Sequence, residues 1–354
     1  MASYKERVTE DLDRWIAAGH VSADHRAAIL ESIPDARRLD AAAALAWVGA
    51  VLLGVAVIAF VAANWDALPR LARFAMVLGI FAAGAGGAAW CAEKARPNTA
   101  NGLLAFSALA FAAAIGLTGQ IFDIAGEPRT ALYASGVVAA ALALAGRASG
   151  PAIAAILFFG IADFMIPGLF SGREGFALPW LLVAAPAGAL LALRWRSPPL
   201  AHGAALGIIA GCFWLVARIE AHASVLLVIS IVMAGLAAGG RWLREGGRAY
   251  GGVFYGWFAW GALWFFVGAG YAYSGHDLDL PHRLAWLLVA GGLVAAGRHD
   301  RHAQVTAAGV VGLLGAIAAI LKDLGLDLKT AAAVFFAAAV LAALAGFALR
   351  RRAR

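Results

Sequence analysis

The apolar residues of this chain fall into blocks of roughly 17 to 24, separated by short polar knots. Laid out as a helix at about 1.5 Å per residue, each block is long enough to cross the hydrocarbon core of a bilayer. Lipid offers no water to backbone N–H and C=O groups, so a segment that crosses must satisfy them internally, as a helix does. The chain is 63% hydrophobic and only 14% charged, with a mean hydropathy of +0.80. Soluble domains carry roughly 25% charged residues. The expected fold is therefore all-α: a polytopic transmembrane helical bundle.

Twelve spans fit the pattern: Ala41–Ala63, Leu71–Ala92, Gly102–Phe122, Thr130–Gly146, Pro151–Phe170, Phe176–Leu193, Leu200–Ala217, Ala223–Gly240, Tyr250–Tyr273, Leu284–Gly297, Ala303–Leu321 and Thr330–Leu349. Leu200–Ala217 and Leu284–Gly297 are the weakest, the second because it is short. With loops assigned alternately, twenty of the 28 Lys and Arg fall on the side of the N-terminus and eight on the other. By the positive-inside rule this places both termini in the cytoplasm of a bacterial inner-membrane protein. The net charge of +7 is thus read as topology, not as a nucleic-acid surface.

Residues 1–40 read as a cytoplasmic helical hairpin ahead of a bundle over 41–349 and a basic tail over 350–354. Val8, Leu12, Trp15 and Ile16 share one helical face, Gly19 stops the first helix, and Ser22 is placed to cap a second helix carrying Ile29, Leu30 and Ile33. Such a hairpin is too small for a private core, so it is expected to dock on the membrane loops, on a second copy or on a membrane partner. No basic stretch followed by a short apolar core opens the chain, so no cleaved signal peptide is expected. Gly235 with Gly239, and Gly252 with Gly256, place small residues one turn apart for close helix packing.

An ionisable side chain inside a bilayer is costly, so each one needs a reason. Asp163 is the clearest. It lies past the middle of its span, and Pro167, one turn later, frees the carbonyl of Asp163 from the helix ladder. One reading is a proton- or cation-coupled carboxylate; the other is a structural partner to an arginine or to a freed backbone group. A second polar set flanks the outer ends of the first four spans: Asn64, Trp65, Asp66 and Arg70, then Gln120, Asp123, Glu127 and Arg129. Asp163, Gln120, Asp123, Asn64, Asp66 and Arg70 are the residues expected to line a substrate or ion pathway open to the outside. No catalytic or metal-ligating residue and no cofactor is assigned. Two histidine clusters, His299 with His302 and His276 with His282, have neighbours that fit a plain polar loop better than a metal site. Cys91 and Cys212 lack partners at metal-ligand spacing and read as packing residues. The aromatic span Tyr250–Tyr273 reads as packing and interfacial anchoring.

Trp15, Gly19 and Ser22, the run Ala63-Asn64-Trp65-Asp66, and Gly119-Gln120-Ile121-Phe122 followed by Gly126 resemble the domain of unknown function 2157 family of bacterial membrane proteins. The resemblance covers roughly the first 130 residues and is architectural beyond them. It implies an N-terminal cytoplasmic helical segment and a multi-span body, and no established activity. Three readings stay open: a permease-like transporter with an outward-facing polar cleft around Asp163, a noncatalytic envelope sensor or assembly scaffold, and a membrane enzyme using Asp66, Asp123 and Glu127 as acid and base. A transporter needs a cavity that reaches the midplane; an Asp163 sealed by its neighbours favours the scaffold.

Overall fold

The computed structural model describes residues 4–32, 68–123, 125–165, 179–219, 222–248, 250–272 and 279–325, with single helical positions at 329, 333 and 336. The chain forms two compact units, residues 1–69 and 70–354. Among the described residues every regular element is helical.

In the first unit, α1 (Tyr4–Ala17) ends where the sequence places its stop: Gly19 takes a φ of +74°, and the amide of His20 closes back on the carbonyl of Trp15 at 2.9 Å. This is the left-handed cap in which glycine carries no Cβ penalty. Ser22 leads a single 3-10 turn (Ala23–His25) that runs into α2 (Arg26–Ser32), although its hydroxyl makes no capping bond. Arg26 Nε reaches Asp13 at 2.8 Å, tying α2 to α1. That hydrogen bond holds the Asp13 carboxyl below the usual carboxylate range.

The second unit holds α3 (Arg70–Glu93), α4 (Pro97–Phe122), α5 (Pro128–Gly146), α6 (Ser149–Phe164), α7 (Leu181–Trp195), α8 (Pro198–Arg218), α9 (Ala223–Glu245), α10 (Gly251–Ala272), α11 (Asp279–His299) and α12 (Ala303–Asp323). Eight are long and apolar enough to cross a membrane; α6 and α7 are shorter apolar helices. Leu200–Ala217 and Leu284–Gly297, the doubtful spans, lie on helices of 21 residues each. The expected spans Ala41–Ala63 and Thr330–Leu349 lie outside the described residues or almost wholly so. Helix α6 stops at Phe164, short of the expected Phe170. Pro167 disfavours helical backbone at Ile166, which accounts for a helix that ends just before it.

The ten helices pair as five hairpins, α3–α4, α5–α6, α7–α8, α9–α10 and α11–α12, and the even-numbered helices also touch one another in order from α4 to α12. One turn geometry recurs. At each hairpin an amide closes on a carbonyl five residues earlier: Arg96 on Cys91, Ala148 on Ala143, Ser197 on Ala192, Arg248 on Leu243 and His302 on Gly297, over 2.7 to 3.1 Å. Just before each of those amides, Ala95, Arg147, Arg196, Gly247 and Arg301 hold left-handed backbone, with φ between 47° and 68°. This is the Schellman closure, and it satisfies the last carbonyls of one helix while reversing the chain.

Packing is inverted relative to a soluble protein. Alanines fill the interior, with Ala108, Ala139, Ala185, Ala204, Ala290 and Ala308 fully buried, while Leu190, Ile231 and Leu288 are 70 to 78% exposed. Large apolar side chains facing outward over many helices fit a lipid surround, and small residues inside let backbones approach. Between α9 and α10 the backbones come close: a Cβ on Gly240 would lie 2.5 Å from the amide nitrogen of Tyr255. The sequence pairing is right for Gly252 and Gly256, which face His302 and Gln304, and misplaced for Gly235 and Gly239, which face open space. Gly240, one position on, points about 100° further round the helix and takes the contact.

Candidate functional site

Asp163 sits in the last turn of α6 with no exposed surface. Its Oδ1 accepts the hydroxyl of Tyr133, from α5, at 2.7 Å, and its Oδ2 accepts the amide of Leu181, the first residue of α7, at 2.8 Å. Helix α7 has no side-chain cap of its own, so the carboxylate of the preceding helix fills that place, where the helix dipole favours a negative group. The carbonyl of Asp163 accepts the indole Nε1–H of Trp214, a fully buried residue of α8, at 2.8 Å. The freed carbonyl inferred from Pro167 therefore has a partner. Phe159 stacks on Trp180 at 6.0 Å between ring centroids and leans on Tyr133 at 6.5 Å, covering the cluster with aromatic rings. One aspartate thus joins four helices, and with them two hairpins.

The other expected site residues lie elsewhere. Arg70, at the start of α3, pairs with Asp123, at the end of α4, over 3.0 Å, both largely exposed. Gln120 is exposed on α4, and Asn64 and Asp66 lie outside the described residues. Arg129 pairs with Glu127 at 3.1 Å. A cleft of about 560 Å³ between α6 and α8 is lined by Ile156, Gly160, Leu181 and Gly207 among others, all apolar, without Asp163.

Two further polar junctions repeat the arrangement. At the turn end, Asp300 accepts from Arg241 and from the hydroxyl of Tyr255, each at 2.9 Å, while its carbonyl accepts from Arg244 at 2.7 Å. At the opposite end, Arg283 is buried, bonds Asp323 at 3.0 Å and lies 4.8 Å over the ring of Tyr271. Tyr133, Trp214, Arg283 and the structural use of Asp300 were not singled out from sequence. A Trp or Tyr in an apolar helix, or a charge at a span end, carries no pattern that distinguishes it from an anchor. Among the described residues no three His, Cys, Asp or Glu gather as a metal site.

His302 caps α12 at this junction. Its Nδ1 accepts the amide of Val305 at 3.4 Å, and its Nε2 lies 2.9 Å from the carbonyl of Gly252, which fixes the neutral tautomer with the proton on Nε2. Burial lowers its pKa below the ordinary histidine value, Arg244 adds to the shift, and Gly252 and Asp300 oppose it. A base with a depressed folded pKa stabilises the fold above its unfolded pKa of about 6.5, and that contribution is lost as pH falls through the folded value. The thermal midpoint is expected to drop from pH 7 to below pH 6 more in the wild type than in His302→Asn. Equal slopes for the two proteins would show that His302 is not the group responsible.

The N-terminal part of the chain can be placed. Residues 13–152 match the family described as Predicted membrane protein (DUF2157). The DUF2157 match takes in the end of α1, the helices α2 to α5 and the first residues of α6, with Asn64, Asp66, Arg70, Gln120 and Asp123 inside it and Asp163 beyond it. No curated protein and no solved structure matches the chain.

Proposed function

We propose that the protein is a noncatalytic scaffold of the bacterial inner membrane, with both termini in the cytoplasm and the N-terminal hairpin as its partner-docking module. The observation that supports this reading is the burial of Asp163, whose carboxylate oxygens both accept hydrogen bonds that hold helices together. A coupling carboxylate must reach solvent and exchange its proton or cation, and a helix latch must not. Asp300 and Arg283 serve the same kind of junction, so buried charge is explained by assembly of the bundle. Trp15 supports the role of the hairpin: it stands 48% exposed on the apolar face of α1, as an anchoring residue for another chain would.

The competing reading is a permease that moves a proton or cation past Asp163 and the outer set Gln120, Asp123, Asn64, Asp66 and Arg70. Proteoliposomes holding wild type or Asp163→Asn, loaded with a pH-sensitive dye and screened over many solutes, separate the two. The scaffold predicts no proton-coupled flux from either. Flux that is present in wild type and lost in a folded Asp163→Asn would replace the scaffold by the permease. Reporter fusions at Arg354 and Gly275 in the same work are expected on opposite sides of the membrane, and a common side would overturn the orientation.

A further inference from the structure

The turn end of the bundle also carries a cleft of about 960 Å³ that none of the three junctions uses. Three successive hairpin turns wall it, with Asn98 and Asn101 from the start of α4, Arg147 and Ser149 from the α5–α6 turn, and Arg196 and Ser197 from the α7–α8 turn. Arg147 and Arg196 occupy the left-handed position of their Schellman turns, so their side chains leave the backbone from fixed points. Both are exposed, and neither makes an ion pair with a described residue. Among the described residues no Asp or Glu lines the cleft. Two guanidinium groups bordering one cavity without a counter-charge repel each other, and an anion placed between them relieves that repulsion.

Much of the remaining lining is apolar, with Ala85, Ala88, Ala89 and Ala92 of α3 and the half-buried Trp195 among it. A free inorganic anion would use only the polar side. A molecule with an anionic head and an apolar stem uses both, and the ends of membrane-crossing helices are where such molecules have their headgroups. Arginine matches phosphate oxygens through paired N–H donors, and the serine hydroxyls and asparagine amides nearby supply further donors.

We propose that this cleft binds the phosphodiester of an anionic glycerophospholipid, with Arg147 and Arg196 as its counter-charges and the alanine wall of α3 against its glycerol and upper acyl chains. The test uses the full chain in detergent, titrated with phosphatidylglycerol, with phosphatidylcholine and with inorganic phosphate, and reads affinity by native mass spectrometry and by the rise in thermal midpoint. Phosphatidylglycerol is expected to bind more tightly than phosphatidylcholine. Arg147→Gln with Arg196→Gln should weaken it about thirtyfold, and Arg147→Gln alone about fivefold. The charge-matched pair Arg248→Gln and Arg298→Gln, at the same end and on hairpins that do not line the cleft, should leave it near wild type. The single variant keeps the test decisive if the double one fails to fold. Equal binding of the two lipids, or equal weakening by the control pair, would overturn the site. Stabilisation by inorganic phosphate matching that of phosphatidylglycerol would overturn the lipid assignment in favour of a free anion.

Discussion

Replacing Asp163 by leucine is expected to destabilise the bundle by about 2 to 6 kcal/mol, since each buried donor left without an acceptor costs about 1 to 3 kcal/mol. The substitution would orphan two: the Tyr133 hydroxyl and the Leu181 amide. Leucine has the same branched skeleton with bulkier methyls, so no cavity opens and the loss would come from the orphaned donors with some overpacking added. No described arginine bonds Asp163, and yet leucine is expected to be costly, because the partners are backbone and hydroxyl rather than a charge. Asparagine behaves differently. Its Oδ1 can accept the Leu181 amide while its Nδ2–H donates to Tyr133, whose hydroxyl turns from donor to acceptor. What remains lost is the attraction of a carboxylate for the helix N-terminus, typically 0.3 to about 2 kcal/mol.

The order wild type, Asp163→Asn, Asp163→Leu in thermal midpoint is therefore expected, with the larger step at leucine. Tyr133→Phe supplies the internal check. Alone it removes one hydrogen bond, about 1 kcal/mol. Combined with Asp163→Leu it removes a donor already orphaned, so the double variant should be no less stable than Asp163→Leu itself. Additive losses would mean that Tyr133 and Asp163 are not coupled, and the latch would have to be abandoned.

The parts of this molecule legible in sequence are those for which lipid sets the rule. Span length dictates the helices, and the doubtful Leu284–Gly297 gains its missing residues at both ends in α11 (Asp279–His299) because the crossing distance demands them. Pro167 gave the freed carbonyl of Asp163, since proline acts on backbone geometry alone, although the expected span ran on through it to Phe170 and the helix ends at Phe164. The left-handed turns were hidden. Arg147, Arg196 and Arg301 stand where glycine would have announced a Schellman cap, and a basic residue at a span end reads as topology whatever its φ. The partners of Asp163 were hidden too, because they come from helices 30 and 51 residues away through a tyrosine and a tryptophan that apolar periodicity treats as filler. Arg70 and Asp123, by contrast, were grouped by sequence and do meet, though at an exposed pair.

Gly239 and Gly240 are neighbours in sequence and are expected to respond oppositely to alanine. In α9, Gly239 is exposed and a Cβ there meets nothing within 4 Å, whereas a Cβ on Gly240 falls 2.5 Å from the amide nitrogen and 3.0 Å from the Cα of Tyr255, and 3.0 Å from the carbonyl of Gly251. Those are backbone atoms of α10, which cannot swing aside as a side chain would. Gly240→Ala must therefore push the two helices apart, and overpacking of this kind costs about 1 to 3 kcal/mol. The displacement reaches further, because Tyr255 is also the α10 residue that bonds Asp300 across to the turn before α12. Gly239→Ala adds only a methyl toward lipid and removes the entropic cost of glycine in a helix, a gain of up to about 1 kcal/mol. The midpoint should fall for Gly240→Ala and hold or rise for Gly239→Ala, measured in the same detergent. A parallel pair at Asp300→Asn tells whether the junction has moved: if Gly240→Ala has already pulled Tyr255 away, adding Asp300→Asn should cost less in that background than in wild type. Equal midpoints for the two alanine variants would mean that α9 and α10 do not meet backbone to backbone, and the close approach drawn from Gly240 would be wrong.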